Sequence, residues 1–221
     1  MNVVHFYASN LNGVAEGGIA SYVRELLKYP SKQFKHRFVG VTRNHQHWVG
    51  TWCQLQIEKC LVDFFPALSV NKDYVTYDKG IPLNAKYLLA LFLYRSRILK
   101  SADILHFHRV ELALPFILFK QRHIPIVLTI HGSARHHELV RSHKLFSKPW
   151  FNWLYLRIET LILSRVDRVI LVNSEGFNHY TSKFLGIKDK FVMVPTFVDC
   201  DEFKPMDKLT SRKNFGLDKK D

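Results

Sequence analysis

Cysteine is scarce in this chain: Cys53, Cys60 and Cys200 are all that 221 residues contain. Their odd number and the lack of any C-x-x-C spacing disfavour a disulfide framework and a structural zinc site, so free thiols are expected. Long apolar runs are missing too. The longest, YLLALFLY over 87–94, stops well short of the ~18 residues a membrane-spanning helix needs. No basic n-region precedes the first strand, so no signal peptide is read and a cytoplasmic protein is expected. Acidic residues number only 19 against 32 Lys and Arg, leaving a net charge of +13 and a pI near 9.7. That excess implies attraction to a polyanion, whether nucleic acid, an anionic membrane face or a phosphorylated substrate. Disorder is disfavoured by 47% hydrophobic residues and 17 Phe, and the length suits one sizeable core or at most two small ones.

What is present is organised around the N-terminus. Val3-Val4-His5-Phe6-Tyr7-Ala8-Ser9 is rich in β-branched and aromatic residues and predicts a buried strand. Ile19, Tyr22, Val23, Leu26 and Leu27 recur at helical spacing and predict a helix running to Lys28. Between them lie Gly13, Gly17 and Gly18, the last two at the helix start. The first turn of a helix leaves N–H groups unpaired and partly positive, and glycine bares the backbone, so a phosphate fits there. A tight turn that binds nothing needs the same glycines. Their spacing is not G-x-G-x-x-G, so a nicotinamide fingerprint is unsupported.

Further along, Lys35 to Val41 predicts a second strand, and 42–80 is poorly legible apart from an apolar piece at Cys60 to Phe65. A helix is expected from Asn84, its cap, to Lys100; being apolar nearly all round, it should be packed on two sides. Then the pattern becomes regular: strand 103–108, helix 112–121, strand 124–130, helix 149–165, strand 168–173, a helix capped by Ser174 and ending at Gly186, and strand 191–194. Such alternation predicts an α/β fold, a mostly parallel Rossmann-like sheet with helices on both faces.

Ligands of such sheets bind beyond the carboxyl ends of the strands. Ser9 to Gly18, His108-Arg109, His131-Gly132 and Asn173-Ser174-Glu175 all follow strand ends, so four loops should converge on one edge. His106 and His108 share a face of their strand, with His106 expected to be buried and hydrogen-bonded and His108 nearer the edge. His131 sits where a buried strand opens into a loop; a neutral imidazole there hydrogen-bonds a sugar hydroxyl, and a charged one pairs with phosphate. Residues 133–148 carry Arg135, His136, His137, Arg141, His143, Lys144 and Lys148 against one acid, Glu138, as in a basic loop at the mouth of a cleft. His137-Glu138-Leu139-Val140-Arg141 departs from a zinc-protease helix at its fifth position, so no metal site is read there. Next to that loop, Phe151, Leu154, Tyr155, Ile158 and Ile162 are read as a core stripe, leaving Trp150 and Trp153 as candidates for a membrane interface.

Together these segments resemble the N-terminal half of a family 4 retaining, nucleotide-sugar-dependent glycosyltransferase of the GT-B fold. The carrying residues are Glu16-Gly17-Gly18, Asp103-Ile104-Leu105-His106-Phe107-His108, Thr129-Ile130-His131-Gly132, Asp167 to Ser174, and Val194 to Asp199 with Phe203-Lys204-Pro205. The resemblance implies that Gly17 and Gly18 serve the donor diphosphate, that Glu16 beside them is substrate-binding, and that His131 is the catalytic-site contact to the donor sugar. It also implies that His108, Arg109, Arg135 and Ser174 bind substrate, while Arg141, Lys144, Lys148, Trp150 and Trp153 meet the acceptor or the membrane. No cofactor or metal is expected, the nucleotide-diphosphate sugar being a co-substrate, and basic side chains and helix dipole would neutralise the leaving diphosphate. Thr196-Phe197 departs from the Asn-Gly the family often has.

By the same resemblance, 1–205 form the N-terminal domain and 206–221 begin an interdomain linker, with the donor-binding C-terminal domain absent, so transfer by this chain alone is not expected. The acceptor would be a cell-surface glycan or a lipid-linked oligosaccharide, met at the cytoplasmic face of the membrane. Two other readings remain open at this point: a non-catalytic basic module on a Rossmann-like fold, binding nucleic acid or membrane, and a nucleotide-sugar epimerase or dehydrogenase. Against nucleic acid, no recognition helix or RNA-binding signature stands out.

Overall fold

The computed structural model describes residues 1–12, 17–29, 31–44, 46–71, 81–119, 124–132, 148–200 and 204–217. Eight strands form one sheet: β1 (Asn2–Phe6), β2 (Lys35–Arg43), β3 (Cys53–Ile57), β4 (Cys60–Val70), β5 (Ile104–Phe107), β6 (Ile126–Ile130), β7 (Arg168–Leu171) and β8 (Phe191–Met193). Their order is β3-β4-β2-β1-β5-β6-β7-β8, and every pairing is parallel except β3 with β4. This is the expected Rossmann-like α/β architecture. The hairpin is the addition: β3 went unread in 42–80, and β4 runs on to Val70 through Pro66, which lies opposite Gly40 where the β2 register shifts. A proline is accommodated where a bulge interrupts the ladder.

Six α-helices are described: α1 (Gly18–Lys28), α2 (Leu83–Leu99), α3 (Leu114–Leu118), α4 (Pro149–Arg165), α5 (Ser174–Lys183) and α6 (Lys208–Asn214). Several boundaries differ from the sequence reading. Pro82, not Asn84, occupies the cap of α2, with φ −55° and ψ 146° and no side-chain cap bond, and Asn84 falls at the second helical position. Leu89 and Leu93 of α2 are 58% and 80% exposed, so this helix packs along one side rather than two. The expected helix 112–121 is a 3-10 turn, Val110–Ala113, followed by the five-residue α3 with Pro115 in its first turn. Leu154 is exposed and leaves the core stripe, whereas Ile162 and Leu163 are fully buried. Asn173, not Ser174, caps α5, its Oδ1 accepting from Gly176 N–H at 2.7 Å. Within the stretch read as linker, Asp207 caps α6 by accepting from Thr210 N–H.

Alternation divides the strand residues between two cores. Val4, Phe6, Leu105, Phe107, Leu128 and Leu171 pack with α2, α3, α4 and α5; Phe38, Leu55 and Phe64 pack with Tyr22, Val23 and Leu27 of α1. Two aspartates of the motif set fasten the strands into register. Asp103 Oδ2 accepts from Asn2 N–H at 2.7 Å at the start of β1, and Asp167 Oδ2 accepts from Ile126 N–H at 2.8 Å at the start of β6. Both hold neighbouring strands level, which places the ends of β1, β5, β6 and β7 along one rim.

Candidate functional site

The rim is built from the loops that follow β1, β6 and β7. Gly17, before α1, has φ +89° and ψ 163°, a backbone region in which only glycine is unstrained. A Cβ at Gly17 or Gly18 would meet nothing within 4 Å. Among the described residues no side chain caps α1 and its first turn holds no acid. The positive end of the α1 dipole is thus left, among the described residues, without a side-chain cap or a neighbouring acid. At α5 the corresponding amide of Gly176 is taken by Asn173, whose Nδ2 also donates to Gly132 O at 3.3 Å and ties the β6 and β7 ends together.

His131 stands between these two helix starts. Tyr22, one turn into α1, packs edge-on against it at 4.6 Å between ring centres, and Phe197 lies 4.7 Å from Tyr22. Burial lowers the His131 pKa to about 4, so the imidazole is neutral at pH 7 and offers one donor and one acceptor. Beneath it, His108 Nδ1 lies 3.1 Å from His131 Nε2. His108 is 1% exposed, so it reaches the rim through His131. Its own partner below is His5, Nδ1 to Nε2 at 3.3 Å, and His5 Nε2 meets His36 Nδ1 at 2.9 Å. His106 is buried, as expected, with Nε2 2.7 Å from Thr129 Oγ1. Burial holds His5 and His108 well below the usual histidine range and His106 down to about 3.

The remaining expected residues are placed as follows. Arg109 is half-buried and its Nε donates to Glu111 Oε1 at 2.6 Å. Ser174 is exposed at the start of α5. Trp150 and Trp153 are 57% and 59% exposed at the start of α4, beside Lys148. Glu16, Arg135, Arg141 and Lys144 lie outside the described residues. His5, His36, Tyr22 and Phe197 were missed as site residues. For His5 the available signal was its phase: it alternates with Phe6 as His106 does with Phe107.

Among the described residues, His5, His106 and His108 come nearest to a metal-ligand set, with ring nitrogens within 4.8 Å of one another. Tetrahedral zinc needs edges of about 3.3 Å, given Zn–N bonds of ~2.0–2.1 Å. One pair of the trio, His5 Nδ1 and His108 Nε2, lies 3.3 Å apart and already shares a hydrogen bond.

Residues 16–202 match the family described as Glycosyltransferase Family 4. No curated protein sequence matches the chain. Its fold is shared by solved structures, among them the following two. Sucrose-phosphate synthase from Thermosynechococcus elongatus superposes with a TM-score of 0.66 at 14% identity, over 98% of this chain and 53% of that one. UDP-N-acetylglucosamine 2-epimerase from Rickettsia bellii does so with 0.52 at 15%, over 99% and 52%. The chain thus spans about half the length of each.

Proposed function

The chain belongs to glycosyltransferase family 4, and from that premise we propose that it is the acceptor-side half of a nucleotide-sugar-dependent retaining transferase. The observation that carries this reading is the shared rim: the open Gly17-Gly18 backbone and His131 meet through Tyr22. The donor diphosphate lies against the α1 amides, where the helix dipole and the chain's excess of positive charge offset its charge without a metal ion. His131, neutral at pH 7, hydrogen-bonds a sugar hydroxyl. In the transfer the bond from the anomeric carbon to the phosphate oxygen breaks, a bond to the acceptor oxygen forms on the same face, and the acceptor's proton ends on the leaving phosphate. A second Rossmann-like domain supplies the rest of the nucleotide site, so this half alone does not turn over.

The acceptor is a cell-surface glycan or lipid-linked oligosaccharide, reached with the chain held peripherally on the cytoplasmic membrane face. Exposed Trp150 and Trp153 next to Lys148 support that placement, as rings at headgroup level beside a cation. No described helix is long and apolar enough to cross a membrane.

Titrating inorganic pyrophosphate into the 15N-labelled chain tests the donor site. The Gly17 and Gly18 amides and the His131 ring should shift together while β3 and β4 stay still. Shifts confined to the basic surface of α6 would overturn the assignment.

A further inference from the structure

His36, His5, His108 and His131 form an unbroken file of imidazoles across three strand pairs, with contacts of 2.9, 3.3 and 3.1 Å. No ring nitrogen is used twice. His5 turns Nε2 to His36 and Nδ1 to His108; His108 turns Nε2 to His5 and Nδ1 to His131. His5 and His108 are 1% exposed, whereas His36 and His131 are half-buried, so both ends of the file open outward and its middle does not.

We propose that these four histidines are a proton wire that links the His131 rim to the far end of the sheet at His36. A neutral imidazole holds one proton and one bare nitrogen. A file of four then has two fully hydrogen-bonded patterns, all Nε2–H or all Nδ1–H. In the first, His131 Nε2 donates to His108 Nδ1, His108 Nε2 to His5 Nδ1, and His5 Nε2 to His36 Nδ1. When a proton binds His131 Nδ1, each Nε2 proton moves one ring along and His36 releases its own Nε2 proton to water. One proton enters and one leaves, four N–H bonds break as four form, and every ring is neutral before and after.

The surroundings suit passage rather than storage. Tyr22 from α1 contacts His108 and His131, and His106 from β5 lies 4.5 Å from His108 and 4.9 Å from His5 between ring centres. After burial, the influences on the two inner rings come from other histidines, so among the described residues no carboxylate pins His5 or His108 in one pattern. Burial disfavours a resident imidazolium, so the buried rings do not store the proton. Its use in transfer rests on the glycosyltransferase reading: with the wire behind it, His131 switches between donating to and accepting from the sugar hydroxyl without staying charged. The wire does not depend on that reading.

The test replaces the outer ring by a fixed acceptor or a fixed donor and reads the tautomer at the other end. In the full chain with 15N-labelled histidine, long-range 1H–15N spectra assign each ring. His36→Glu accepts from His5 Nε2–H and should drive His131 to Nε2–H; His36→Lys donates to His5 Nε2 and should drive it to Nδ1–H. The tautomer ratio at His131, three rings away, should differ by at least about tenfold between them, because a buried unpaired donor costs ~1–3 kcal/mol. Equal ratios would overturn the wire. So would mixed tautomers among the four rings of the unmodified chain, a measurement that needs neither variant. Pyrophosphate shifts report separately on the donor site, so either assignment can fail alone.

Discussion

Phe6 and Phe107 stack at 4.3 Å on one face of the sheet, while one residue earlier in each strand His5 and His106 lie 4.9 Å apart on the other. The same register, His5 opposite His106 and Phe6 opposite Phe107, produces both pairs. Phe116 closes the phenyl face edge-on at 5.1 Å, and α2, α3, α4 and α5 cover it. Over the other face Tyr22 of α1 lies against the imidazoles. One set of backbone hydrogen bonds thus carries a scaffold on one side and polar chemistry on the other. The difference teaches where to look for dependence on pH: phenyl rings have none, and buried imidazoles concentrate it.

Acid should separate the two faces most strongly. His5, His106, His108 and His131 are depressed in the fold, so below about pH 6.5 the unfolded chain binds more protons than the native one. Stability is then complete above pH 6.5 and is lost as pH falls toward the folded values, about 4 for His131 and about 3 for His106. Each histidine contributes a slope of up to ~1.4 kcal/mol per pH unit. Urea midpoints should fall steeply between pH 6.5 and 5; a profile flat to pH 4 would break the comparison. On the phenyl face, Phe107→Ala should cost ~3–5 kcal/mol, and by the same amount at pH 8 and pH 6. On the imidazole face, Thr129→Val strands the His106 ring and should cost ~1–3 kcal/mol by urea denaturation. At the rim, Asn173→Ala removes the α5 cap and the Gly132 tie for about 1 kcal/mol, and should broaden the Gly132 amide. Outside both faces, Trp153→Ser should move stability by less than ~0.5 kcal/mol. It should weaken sedimentation with anionic liposomes, an effect that salt also produces.

Much of the fold was legible because β-branched runs and helical spacings are local. β1, β2, β5, β6 and β7, and helices α1, α4 and α5, were placed from pattern alone. β3 was not, since C-Q-L-Q-I is only five residues long; it is held as a strand by its pairing with β4. His131 was found by the rule of strand ends. His5 and His36 escaped because the phase of a strand histidine gains meaning only against its partner strand, and that pairing is not local. The sequence reading placed the α5 cap at Ser174 instead of Asn173 for a one-residue reason: either side chain suits that role, and backbone direction decides between them.

Composition and periodicity, then, determined the α/β alternation, the glycine turn into α1 and the basic surface, because each depends on residues within a few positions of one another. Tertiary structure decided that His36, His5, His108 and His131 touch. That contact needs β2, β1, β5 and β6 side by side in one register, and such pairing is set by backbone hydrogen bonds and by the packing of whole faces, between segments up to about a hundred residues apart.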